Sequence, residues 1–185
     1  MRELLKLWQT GTYDAKTKQK AESRHLIAFT KGLKMLEIGN LAPEFTLTSD
    51  EGNSINLTDY RGQRVLIFFY PKAGTSGCTM QACGLRDNFP VFKDADAVVL
   101  GISPDDPEKL AKWRAEERLP YNLLSDPDHA VADAYGVWGE KKLYGRSYMG
   151  IIRSHFVVDA EGKLEDVQFK ISPKKSIEKA VKQFS

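Results

Sequence analysis

The sequence contains two cysteines, Cys78 and Cys83, five positions apart, and the first follows the segment Pro71-Lys72-Ala73-Gly74-Thr75-Ser76-Gly77. Ahead of that segment, Val65-Leu66-Ile67-Phe68-Phe69-Tyr70 is an uninterrupted apolar run stopped by Pro71, the pattern of a strand buried on both faces. Behind it, residues from about Cys78 to Phe92 read as helix. Cys78 is therefore expected in the first turn of a helix that leaves a central strand. Unpaired backbone N–H groups and the helix dipole favour an anion there, and the thiolate is the nucleophilic form of cysteine. Gly74 and Gly77 bring backbone close to the sulfur and leave room for a ligand. Cysteine is also a common small core residue, and for Cys83 taken alone that reading is the better supported.

Ionisation by itself does little. For a cysteine thiol, a fall in pKa from about 8.5 to about 6 raises the thiolate fraction at neutral pH only about 30-fold. Sulfur chemistry on an O–O bond would also need donors aimed at the departing oxygen, where negative charge develops. Thr75, three residues before Cys78, can bring a hydroxyl to such a pocket or can simply cap the helix. The backbone N–H groups of Gly77 and Cys78 can point into it, and a distant arginine would complete it. Arg153 is a base in the otherwise apolar run Ile151 to Asp159, so it needs a partner if buried. Five residues along a helix are a rise of about 7.5 Å and a net turn of about 140°, which separates the two cysteine Cα atoms by roughly 9 Å. A disulfide needs about 4.4 to 6.8 Å. If the pair bonds, the helix start must unwind, giving a helical reduced state and a locally unfolded oxidised one in which a Cys78 sulfenic acid condenses with Cys83.

Composition narrows the alternatives. With 185 residues, 42% hydrophobic and 28% charged, the chain fits one globular domain with some length to spare. The formal charge of +2 is unevenly spread. Residues 1–34 carry eight bases and three acids, a net of +5 that leaves −3 for the rest, so the domain offers no general case for nucleic-acid binding. No apolar run approaches the ~18 to 20 residues that span a bilayer, and no secretory leader is apparent. A soluble, cytoplasmic protein is the expectation. Two cysteines are too few for a disulfide scaffold. The histidines, His25, His129 and His155, lack any zinc-ligand spacing.

The elements around the cysteine loop complete the fold reading. Phe45 and Leu47 suggest a short strand, followed by turns at Asp50-Glu51-Gly52-Asn53 and Asp59-Tyr60-Arg61-Gly62. Ala97 to Ser103 is a second buried strand, so strand, helix and strand form a β-α-β unit with a parallel sheet. Helices are expected after Pro104-Asp105-Asp106-Pro107, ended by Pro120, and from an N-cap at Asp128 to Gly136. A strand is expected at Asn122 to Leu124. Gly139 to Gly150 reads as a loop, Ile151 to Asp159 and Leu164 to Phe169 as a hairpin, and Pro173 opens a last helix with Ile177, Ala180, Val181 and Phe184 on one face. This order fits an α/β thioredoxin-like fold, a mixed central sheet flanked by helices.

The segment Phe69 to Cys83 resembles the active-site loop of peroxiredoxins, specifically the peroxiredoxin Q or bacterioferritin comigratory protein group. Leu124 to His129, Tyr135 to Lys142 and Tyr148 to Ser154 resemble the same group, and the likeness covers about residues 36–185. It implies that Cys78 is the peroxidatic cysteine and Cys83 the resolving one. It also implies that Thr75 bonds thiolate and peroxide, that Pro71 shields the pocket, and that Arg153 holds thiolate and peroxide oxygen. Peroxides would be the substrates and thioredoxin or a similar dithiol protein the reductant, with no metal or organic cofactor and a monomeric chain. Ser76 departs from the proline of many members and would loosen the loop slightly. Residues 1–34 have no counterpart in most members, and a misassigned start or tolerated extension is expected ahead of a domain at 35–185. Two rivals are a thiol-disulfide oxidoreductase, disfavoured by the lack of Cys-x-x-Cys, and a non-catalytic chaperone or binding module.

Overall fold

The computed structural model describes residues 36–143 and 145–185; the expectation for residues 1–34 lies outside them. Strands β1 (Thr46–Ser49), β2 (Ser54–Asn56), β3 (Arg64–Phe69), β4 (Ala97–Ser103), β5 (Asn122–Ser125), β8 (Ser154–Val158) and β9 (Leu164–Gln168) form one sheet in the order β2-β1-β5-β4-β3-β8-β9. β3, β4 and β5 run parallel, and the remaining neighbours are antiparallel. β3 is central and buried from Val65 onward. Its side chains alternate between two cores, Val65, Ile67 and Phe69 on one face and Leu66, Phe68 and Tyr70 on the other, as the two-residue strand period requires. Cys78 belongs to the second core.

Helices α1 (Ser76–Asp87), α2 (Phe89–Asp94), α3 (Pro107–Glu117), α4 (Ala130–Ala134) and α5 (Pro173–Phe184) flank this sheet. The single helix expected to Phe92 is two. Pro90 sits in the first turn of α2, where its missing N–H is harmless, and the Asn88 side-chain amide donates to the Gly84 carbonyl at 2.8 Å to close α1. Arg118, in the left-handed region at φ 53°, stops α3 ahead of Pro120. The start of α4 is held chiefly by Asp126 rather than Asp128. The buried Asp126 carboxylate accepts from Val131 N at 3.2 Å and Ala132 N at 2.8 Å, whereas Asp128 accepts from Ala130 N at 3.3 Å.

Two departures reshape the C-terminal half. The segment read as a loop is an antiparallel pair, β6 (Trp138–Leu143) with β7 (Arg146–Ile151), turning through Gly145 at φ 77°. Its lysines and glycines hide the pattern because this ribbon stands apart from the main sheet. The His129 ring stacks on Trp138 with centroids 4.1 Å apart, tying the ribbon to α4. The strand expected from Ile151 to Asp159 is broken at Ile152 and Arg153. Ile152 N donates to Val137 O at 2.7 Å, and Arg153 O accepts from Ile171 N at 2.9 Å. Arg153 is thus clamped between the ribbon and the approach to α5, outside the strand.

Candidate active site

β3 ends against β4, where Tyr70 N donates to Ile102 O at 3.1 Å. The loop that follows is fastened to the end of β4, since Ala73 N donates to Asp105 Oδ2 at 2.7 Å and Ser103 Oγ to the same oxygen at 3.1 Å. Gly74 makes the turn at φ 77°, a conformation costly for any residue with a Cβ. Thr75 occupies the N-cap position with extended backbone. Cys78 is therefore the third residue of α1, among the N–H groups that no helical carbonyl can reach.

Cys78 is 1% exposed, and Arg153 Nη2 lies 3.1 Å from its sulfur. Arg153 Nη1 donates to the Gln81 side-chain carbonyl. The planar guanidinium thus bridges two side chains one helical turn apart, which a lysine could not do in the same way. A Cβ on Gly77 would lie 3.6 Å from Arg153 Nη2, in ordinary van der Waals contact with the guanidinium. A cleft of about 760 Å³ is lined by Arg153 together with Lys141, Lys142, Ile152 and Lys170. Burial pushes the Lys141 ammonium down, and the nearby Arg153 charge adds to this.

The remaining expected site residues are placed less directly. The exposed Thr75 hydroxyl donates to Lys72 O at 3.0 Å and makes no helix-capping bond. Pro71 is partly buried at the end of β3. Cys83 is reduced, partly buried, and on the same unbroken helix as Cys78. Its thiol donates to Glu117 Oε2 at 3.3 Å. Burial pushes the Cys83 thiol up, and the hydrogen bond to Glu117 pushes it further in the same direction. Arg86 Nη1 donates to Glu117 O at 2.6 Å and Tyr121 to Ala82 O at 2.8 Å, so this part of α1 is tied to the end of α3 and to the segment entering β5.

Sequence reasoning missed Gln81 and Glu117. Gln81 stands three residues after Cys78, a spacing that shares a helix face, and that was the available signal. Glu117 lies 34 positions from Cys83, and nothing local in the sequence connects them.

The model of the AhpC/TSA family matches residues 38–167. The chain belongs to this family. The Escherichia coli peroxiredoxin Bcp is 54% identical over 132 residues, which cover 71% of this chain and 85% of that one. Bacillus subtilis peroxiredoxin Bcp is 42% identical over 79% of this chain and 93% of its own. Among solved structures, a Xanthomonas campestris bacterioferritin comigratory protein, studied for alkyl peroxide reduction through trapped intermediate and ligand complexes, superposes with a TM-score of 0.73. It is 28% identical and covers 80% of this chain and 95% of that one. The fold is that of the thioredoxin-like peroxiredoxins, as the sequence led one to expect.

Proposed function

We propose that this peroxiredoxin reduces hydrogen peroxide and organic hydroperoxides through Cys78, with Cys83 resolving the product. Peroxidase activity, with a peroxide substrate and a reductant, follows from membership in the family and from relatives named peroxiredoxin Bcp. The observation that carries the assignment of roles is the guanidinium of Arg153 set 3.1 Å from a buried sulfur at a helix start. The Cys78 thiolate attacks the nearer peroxide oxygen, the O–O bond breaks, and the alkoxide or hydroxide leaves with the bonding pair and takes up a proton. Arg153 and the free N–H groups of α1 stabilise that charge. Thr75 turns its hydroxyl from Lys72 O toward the peroxide when substrate arrives, and Pro71 limits water at the sulfur. The Cys83 thiol then condenses with the Cys78 sulfenic acid, releasing water and forming the disulfide.

Thioredoxin or a similar dithiol protein returns both cysteines to thiols, and the enzyme works as a monomer in the cytoplasm. Two cysteines in a chain of 185 residues are too few for a disulfide scaffold, which suits a reducing compartment. No helix among the described residues is long and apolar enough to cross a membrane.

Peroxide consumption driven by thioredoxin and its reductase tests this reading in wild type, Cys78→Ser and Cys83→Ser. Cys78→Ser is expected to be inactive, and Cys83→Ser to react once and accumulate oxidised Cys78. Steady thioredoxin-driven turnover by Cys83→Ser at the wild-type rate would refute the resolving role. Insulin reduction without peroxide consumption would favour a thiol-disulfide oxidoreductase instead.

A further inference from the structure

Beyond Gln81, the bonds from Arg153 continue into the protein. Gln81 Nε2 donates to Ser176 Oγ at 2.7 Å, Ser176 Oγ lies 2.9 Å from His155 Nδ1, and His155 Nε2 lies 3.2 Å from Asp166 Oδ2. Gln81, Ser176 and His155 are all 0% exposed. From the far side, Lys179 Nζ donates to Gln168 Oε1 at 2.6 Å, and Gln168 Nε2 to Asp166 Oδ1 at 2.7 Å. Seven side chains from α1, β8, β9, α5 and the break before β8 thus link the Cys78 sulfur to the surface.

Donor chemistry gives this chain one direction. Arg153 has only donors, so Gln81 must face it with oxygen and offer its NH₂ to Ser176. Ser176 Oγ accepts that hydrogen bond and can point its own hydroxyl proton at His155 Nδ1. With the hydroxyl so placed, the ring proton of His155 sits on Nε2 and is donated to Asp166. Lys179 likewise fixes the Gln168 amide, so both branches end on the Asp166 carboxylate, which only accepts. Turning the Gln81 or Gln168 amide would set its NH₂ against the donors of Arg153 or Lys179, and such mismatches are costly away from water.

We infer that His155, oriented by Asp166, is a positioning residue for the peroxidatic site: through Ser176 it fixes the Gln81 amide and thereby holds Arg153 against the Cys78 sulfur. The inference rests on the peroxidase assignment above and adds three residues, His155, Ser176 and Asp166, that touch neither sulfur nor peroxide. His155 is suited to this because its two ring nitrogens transmit opposite roles, accepting on one side and donating on the other. The groups facing it are Ser176 on α5, Asp166 on β9, and its two register partners, Gln168 on β9 and Phe68 on β3. Asp166 is the only charged one.

The test uses full-length protein carrying Cys83→Ser, so that a single sulfur oxidation is read. Ser176→Ala cuts the chain at its middle with little change in volume. His155→Phe removes both nitrogens, and His155→Asn restores an acceptor near the Nδ1 position. Ser176→Ala and His155→Phe are expected to slow the reaction with hydrogen peroxide about tenfold and to move the pH midpoint of Cys78 alkylation upward, with His155→Asn recovering part of both. Nitrogen NMR of the imidazole in the otherwise unaltered protein is expected to show the Nε2–H tautomer. An Nδ1–H tautomer, or Ser176→Ala with the parent's rate and midpoint, overturns the inference. Should Ser176→Ala or His155→Phe fail to fold, Asp166→Asn at the partly exposed end and the tautomer measurement still decide it. If the parent protein reacts with peroxide no faster than its Cys78→Ser derivative, the peroxidase reading itself has failed.

Discussion

Replacing Arg153 by methionine keeps an unbranched apolar stem while removing the guanidinium, its charge and both hydrogen bonds of the fork. In the reduced structure one bond goes to the Cys78 sulfur at 3.1 Å and the other to Gln81. A hydrogen bond to a charged group contributes about 1.5 to 3 kcal/mol. If the bond to sulfur becomes one to the transferring oxygen and its leaving partner, that energy applies to the barrier, and at about 1.4 kcal/mol per factor of ten the variant slows roughly 10- to 150-fold. Arg153→Lys keeps the charge and can serve one partner at a time, so it falls between wild type and methionine. Rapid-mixing kinetics of the reduced protein with hydrogen peroxide, in the Cys83→Ser background, read the step directly. Arg153→Met reacting within about threefold of its parent would mean that the guanidinium does no catalytic work, and equal losses for lysine and methionine would mean that its charge does none.

Three further outcomes follow from the surroundings. Because burial and then Glu117 push the Cys83 thiol up, Glu117→Gln lowers the pH at which Cys83 alkylates; a midpoint unchanged or raised contradicts the pairing. Burial pushes the Asp166 carboxyl up, but the hydrogen bonds from His155 and Gln168 outweigh this and hold it below the usual range. Its contribution to stability is therefore present above the ordinary carboxylate value and lost as pH falls through the depressed one. The stability advantage of wild type over Asp166→Asn in denaturant titrations accordingly shrinks below about pH 4. A Cβ on Gly84 would lie 2.2 Å from Ile177 Cδ1, so Gly84→Ala costs about 1 to 3 kcal/mol by overpacking. Ile177→Ala in the same chain should offset part of it, and strictly additive losses would refute the contact.

The main sheet was legible because its strands carry their own signals: β3 and β4 are unbroken apolar runs, and Pro71, Gly74 and Gly77 punctuate the loop between β3 and α1. The β6–β7 ribbon was not, since a strand pair outside the core needs no apolar alternation. Arg153 was visible as an odd charge, yet its position in a strand break depends on bonds to Val137 and Ile171 that no local pattern encodes. His155 carried a signal of the same kind, a titratable group in an apolar run. Its meaning depends on Ser176 and Asp166, which are 21 and 11 positions away. Polar partners buried through tertiary contact leave little local trace, whereas apolar periodicity leaves a clear one.

The seam between Gly84 and Ile177 begins one residue beyond Cys83, whereas the bonds of Gln81 to Arg153 and Ser176 lie before it. Unwinding from the start of α1 can therefore free both cysteines by breaking the attachments of Cys78, Gln81, Ala82 and Cys83 while the seam still holds the rest of the helix. In the proposed cycle, how often those attachments open sets the lifetime of the Cys78 sulfenic acid. During that lifetime a second peroxide can convert it to the irreversible sulfinic form. The same contacts that ready the enzyme for its first peroxide thereby set the oxidant dose at which a population of molecules is permanently lost.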